Sequence, residues 1–151
     1  MAIGRKLTSS QVFGSVVSMT RFVVDCGAVL HLAAEGIEVS GEHELLAPTL
    51  LRSQTLSALH EAVHDGALSS DVALERLAYI WAMPIRLLGD AVLRRKAWNL
   101  AEQLEWPETY DAEYVALTQL QADAFVTLDA DLARRVEEIV PTAKIEALQT
   151  A

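Results

Sequence analysis

The sequence predicts a three-layer α/β/α sandwich, with a mainly parallel central sheet covered by helices on both faces. Three observations predict it. Short runs rich in β-branched and aromatic residues alternate with longer segments of helical apolar period. The connections between those runs are long enough for the crossover helices that parallel strands need. The chain has 151 residues, 52% of them apolar, which suits one domain burying roughly 70% of its unfolded surface. No internal repeat interrupts the pattern.

The first strand is Phe22-Val23-Val24, ending in Asp25, and a helix follows over Val29 to Glu35. Gly36 and Gly41 bracket a polar loop, Leu45-Leu46-Ala47 is the second strand, and Pro48 sits where a helix begins. Leu50 to His64 is helical, with Leu51, Leu59, Ala62 and Val63 on one stripe and Gly66 as its stop. Ser70 and Asp71 cap a helix to Trp81, which Pro84 ends before the third strand, Ile85 to Leu88. Asp90 caps a long helix to about Leu104, whose buried stripe is Ala91, Leu93, Ala97, Leu100 and Leu104, with Trp98 also placed in the core. A helix over Thr109 to Leu120 leads to the clearest strand, Ala124 to Leu128, which ends at Asp129. A last helix, Asp131 to Glu138, precedes an edge strand around Ala143 to Ala147.

Composition excludes several classes. The single Cys26 cannot form an intramolecular disulfide, and no run of 18 apolar residues is present to span a bilayer. A soluble, cytoplasmic protein is expected, with no membrane partner. The net charge of −9 argues against gripping a long polyanion by charge alone. Arg94-Arg95-Lys96 and Arg134-Arg135 read as solvated helix surface. An acidic total is nonetheless what carboxylates converging on a divalent cation would produce. Residues 1–18 hold Arg5 and Lys6, no acid, and many Ser, Thr and Gly. They read as a leader or flexible extension without the continuous apolar core of a secretory signal, leaving 19–151 as a single domain.

Ligands of open α/β sheets bind beyond the carboxyl ends of the strands. Asp25 and Asp129 follow two of the best strands, and Asp111 lies near the start of a largely apolar helix. Each has a simple alternative reading, as a helix N-cap or as a charge favoured by the positive end of a helix. Together they are more informative. Crowded like charges raise one another's pKa and cost stability, and a cation of charge +2 removes that cost. Mg²⁺ or Mn²⁺ takes oxygen ligands, keeps several waters, and activates one for attack on a phosphodiester. Cys26 reads as a small filler with no activating base. His60 and His64, at i and i+4, lack a third ligand and read as helix surface.

These residues resemble the PIN domain ribonucleases, and within them the VapC-type toxins of bacterial toxin-antitoxin pairs. The resemblance covers about residues 19 to 148. It rests on Phe22-Val23-Val24-Asp25, on Pro48 six residues before position 54, and on Tyr110-Asp111-Ala112-Glu113-Tyr114-Val115-Ala116-Leu117 leading to Thr127-Leu128-Asp129. It implies RNA cleavage at catalytic positions Asp25, Gln54, Asp111 and Asp129, with Asp25, Asp111 and Asp129 binding Mg²⁺ or Mn²⁺. It also implies a VapB-like antitoxin and a homodimer, whose shared surface is sought on the apolar helices Leu50 to Val63 and Asp71 to Trp81. The main departure is Gln54, where the family usually has glutamate. Its carbonyl can ligate a hard cation but brings no charge and cannot act as a general base. Three aspartates also balance one divalent ion better than two. A second departure is Gly27, which has no hydroxyl to support Asp25. The alternative is a PIN-like domain that has lost catalysis and binds RNA or protein.

A dinucleotide-binding domain would need a glycine-rich turn after the first strand, and Asp25-Cys26-Gly27-Ala28-Val29 lacks it. A phosphate-transfer receiver would need two adjacent acids there, and only Asp25 is present.

Overall fold

The computed structural model describes residues 19–150; the leader assigned to residues 1–18 lies outside them. In chain order the elements are β1 (Thr20–Val24), α1 (Cys26–Glu35), β2 (His43–Pro48), α2 (Leu50–His64), α3 (Ser70–Ala82), β3 (Ile85–Leu88), α4 (Ala91–Gln103), α5 (Tyr110–Gln121), β4 (Ala124–Val126), α6 (Ala130–Val136) and β5 (Thr142–Ala143), closed by a 3₁₀ turn, Ile145–Leu148. The strands form one sheet of order β3-β2-β1-β4-β5, with every pair parallel. This is the α/β sandwich that the alternation of apolar runs predicts.

Parallel strands are buried on both faces, so their sequences read as continuous apolar runs. Phe22, Val23 and Val24 are all buried, as are Leu45 to Ala47 and Ala124 to Val126. The helices α1, α2 and α3 pack on one another, while α4 packs on α5, which lies against β1, β2 and β4. Right-handed crossovers place these two groups on opposite faces. At the carboxyl end of β3 the chain approaches the start of α2 closely. A Cβ on Gly89 would stand 3.0 Å from the Thr49 hydroxyl, so only glycine turns there without displacing Thr49.

Several boundaries differ from the sequence reading, each for a local reason. Ser69, not Ser70, caps α3, because its hydroxyl accepts from the Val72 amide at 3.2 Å. Ala91 is exposed at the first turn of α4, and Trp98 is 60% exposed. The stripe that packs is Leu93, Ala97, Leu100 and Ala101, and Trp98 lies one residue, about 100°, off it. β4 stops at Val126, the last residue paired with β1 and β5. The expected edge strand shortens to Thr142–Ala143 and continues as the 3₁₀ turn. Gly66, with φ 81°, does terminate α2.

Candidate active site

From β1 the chain steps outward to β2 and β3, then returns across the sheet to β4 on the other side of β1. The carboxyl ends of β1 and β4 therefore flank the topological switch point. Val24 pairs with Val126 there; Asp25 follows Val24 directly, and Asp129 lies three residues beyond Val126.

Asp25 is the N-cap of α1, its Oδ1 accepting from the Ala28 amide at 2.9 Å. Asp129 is the N-cap of α6, its Oδ1 accepting from the Asp131 and Leu132 amides at 3.0 and 3.1 Å. Asp111 occupies the first turn of α5. The capping reading of Asp25 and Asp129 is thus correct, but each bond uses only one carboxylate oxygen. Asp25, Asp111 and Asp129, with Gln54 from α2, line one cavity of about 240 Å³. Three helix starts meet around it, and their amide dipoles favour negative charge.

The acids feel one another. The Asp25 carboxyl is raised above its ordinary 3.8, first by burial and further by Asp111 and Asp129, while the Thr127 hydroxyl and the Ala28 amide oppose the rise. Asp111 is also raised by burial, against the attraction of Arg135, with Asp129 and Glu108 adding to the rise. Gln54 does not stand free: its Oε1 accepts from the Tyr114 hydroxyl at 2.6 Å. Burial, with the neighbouring Cys26 and acids, pushes the Tyr114 phenol upward. It remains a donor at neutral pH, fixing the Gln54 amide. Burial, then Asp25, pushes the Cys26 thiol up to about 11, consistent with a filler and not a nucleophile.

Thr127 and Tyr114 join the wall of this site without having been assigned a role from sequence. The signal for Thr127 was its hydroxyl two residues before Asp129, which accepts from the Asp129 amide at 3.1 Å. For Tyr114 it was a polar aromatic one turn beyond Asp111 on a buried helix. Gly27 is exposed beside Asp25, and a Cβ there would stand 3.8 Å from Asp25 Oδ1. His60 and His64 are exposed, and among the described residues no three His, Cys, Asp or Glu side chains form a ready-made metal cage. The donors are all hard oxygens spaced around a cavity. That fits a hydrated Mg²⁺ or Mn²⁺, which keeps several waters, better than a closed set of direct ligands.

Larger cavities lie elsewhere. One of about 470 Å³ beside Trp81 contains no acid. Another of about 630 Å³ lies at the amino edge, where Glu44 is already paired with arginine. The crowded, partly desolvated carboxylates select the smaller cavity as the chemical site.

No protein-family model matches the chain, and no curated protein matches it. Solved structures do. PAE2754 from Pyrobaculum aerophilum superposes with a TM-score of 0.68 at 21% identity, over 89% of this chain and 95% of that one. VapBC-1 from nontypeable Haemophilus influenzae gives a TM-score of 0.58 at 10% identity, over 84% of this chain and 99% of that one. A PilT N-terminus domain protein from Sulfolobus solfataricus reaches only 0.42, too loose to carry an argument. At these identities the likeness shows the fold. The chain shares the α/β fold of PAE2754 and VapBC-1, with its acids at the edge where such sheets bind ligands.

Proposed function

We propose that this protein is a Mg²⁺- or Mn²⁺-dependent endoribonuclease of the PIN/VapC type, the toxin of a toxin-antitoxin pair, acting in the cytoplasm. One observation carries the reading: Asp25, Asp111 and Asp129, from three separate helix starts, line a single cavity at the switch point of the sheet.

In this reading the uncommitted carboxylate oxygens of the three aspartates hold the cation, and Gln54 contributes a neutral carbonyl oriented by Tyr114. When bound, the divalent ion would neutralise the crowded carboxylates and acidify the attacking water. The Thr127 hydroxyl and the Ala28 amide favour the ionised form of Asp25, opposing in part the larger effect of burial. Arg135 does the same for Asp111. With glutamate absent from position 54, proton removal from the nucleophile falls to the aspartates alone.

A VapB-like antitoxin would close the site by presenting a basic side chain to these acids. A homodimer would form through α2 and α3, where Leu56, Leu74 and Trp81 are 51, 61 and 65% exposed. Replacing Leu56 and Leu74 together with glutamate should halve the sedimenting mass; an unchanged mass would remove this surface from consideration.

Cleavage of a structured RNA with Mn²⁺, with EDTA, and by Asp25→Asn and Gln54→Glu tests the main reading. Metal-dependent cleavage that disappears in Asp25→Asn is expected, with Gln54→Glu faster than the parent. Cleavage by Gln54→Glu alone would mean that position 54 has disarmed the site and that the domain acts by binding.

A further inference from the structure

A second cavity of about 370 Å³ adjoins the acid cavity, sharing Gln54 and Asp111 with it. Its other walls include Trp106, Tyr110, Glu108 and Arg135. None of these residues is needed to hold a cation, and their arrangement is built rather than incidental.

Trp106 is fixed by the way α4 ends. The Glu105 amide donates to the Glu102 carbonyl at 3.2 Å and the Trp106 amide to the Ala101 carbonyl at 2.8 Å, the paired bonds of a Schellman cap. Glu105 adopts the left-handed conformation, φ 58°, where glycine is usual and a side chain costs about 1 kcal/mol. The indole therefore leaves the helix at a fixed angle, partly packed on the core. The Arg135 guanidinium lies over it, 5.2 Å from the ring centroid. Its Nε donates to Asp131 Oδ2 at 3.0 Å, so the planar head is braced from two directions. Tyr110, 51% exposed, opens α5 immediately before Asp111.

The charge around this cavity decides what it suits. Glu108, Asp111 and Asp131 offset Arg135, so a phosphate gains little here. A neutral, flat group with a π face gains stacking on Tyr110 and on the braced guanidinium. We propose that this cavity is a subsite for one unpaired nucleobase of an RNA strand whose adjacent phosphate faces the aspartates. Bases in a duplex have both faces covered, and only a splayed base can enter. By holding that base, the subsite sets which phosphodiester reaches the acids. This inference rests on the ribonuclease reading.

Binding of a short fluorescein-labelled single-stranded RNA to the full chain, followed by anisotropy in EDTA, tests it. Tyr110→Ala and Arg135→Ala should each weaken binding about tenfold, the size of one lost stacking contact, whereas Tyr110→Phe keeps the parent affinity. The parent should bind a strand with an abasic position as weakly as Tyr110→Ala binds the intact strand. Parent binding that none of the substitutions changes would overturn the subsite and leave the nuclease reading standing. Equal losses on intact and abasic strands would also overturn it, assigning these side chains to the sugar-phosphate backbone and not to a base. Failure of the parent to bind any RNA in EDTA would overturn the subsite, while the nuclease reading is judged separately by the Mn²⁺ cleavage assay.

Discussion

The two edges of the sheet use the same kinds of side chain to opposite ends. At the amino edge Glu44 on β2 stands between Arg21 on β1 and Arg86 on β3, at 3.0 and 3.1 Å. Asp123 accepts from the Arg21 amide at 2.8 Å. Glu44 is thus paired with two arginines, and Asp123 is bonded to a backbone amide. At the carboxyl edge Asp25, Asp111 and Asp129 face one cavity, and burial holds Asp25 and Asp111 above the usual carboxylate range. Arg135 offsets Asp111, while the Thr127 hydroxyl and the Ala28 amide oppose the rise at Asp25. Matched charge closes one edge, while like charge gathers around a cavity at the other.

The largest effect expected from breaking this contrast is on cleavage. Asp25→Asn should reduce metal-dependent RNA cleavage by at least about a hundredfold. Asparagine caps a helix as well as aspartate does, so the Ala28 contact survives. The metal-free variant should melt no lower than the parent, since a buried like charge has been removed. A lower melting temperature would show that Asp25 is chiefly a structural cap. Next in size is the response to metal. Mn²⁺ at about a hundred times its dissociation constant should add roughly 2.7 kcal/mol of stability, a shift of roughly 5–10 °C for a domain of this size. The shift should vanish in Asp111→Asn, as read by thermal melting with and without EDTA.

How much of this could be read in the sequence follows from physical range. The strands were readable because buried parallel strands are apolar without interruption, as in Phe22 to Val24. Asp25 and Asp90 marked helix starts because capping is local, each accepting from the amide three residues on. Trp98 was misplaced because its size suggested burial, although it sits one step off the stripe of α4. Ser69 and Ser70 are chemically alike, and only the geometry of the turn chose between them. The aspartates were found as ends of strands and starts of helices. The contact of Tyr114 with Gln54 spans 60 residues, and no local pattern announces it. The same holds for Arg135, read as solvated surface and found over Trp106.

The pH dependence sharpens the contrast further. A carboxyl whose folded pKa lies above its unfolded value holds its proton more tightly in the native state. Its contribution is therefore complete below the ordinary 3.8 of Asp25 and Asp111 and is lost as pH rises through their raised values. Metal-free protein should lose stability as pH climbs from about 4 toward neutrality, and Mn²⁺ should restore it. Melting temperatures measured across that range in EDTA, for the parent and for Asp25→Asn, should converge at the acid end. Divergence at the acid end instead would place the cost of Asp25 in something other than its charge.

The smallest effect belongs to the amino edge. Glu44→Gln removes a charge directly opposite Arg21 in the β1–β2 register, and two residues along, on the same face, from Leu46, the partner of Arg86. The side chains of Arg21, Arg86 and Glu44 are 46, 50 and 27% exposed, so water screens both pairs and each contributes about 0.5 kcal/mol. The substitution should lower stability by under about 1 kcal/mol. Salt at about 1 M, with a Debye length near 3 Å, should erase most of the difference. The sign is opposite to that of Asp25→Asn although both changes delete one negative charge. Urea unfolding at low and high salt compares the two directly. If both variants shifted in the same direction, the division of the sheet into a paired edge and an edge left open for a cation would not hold.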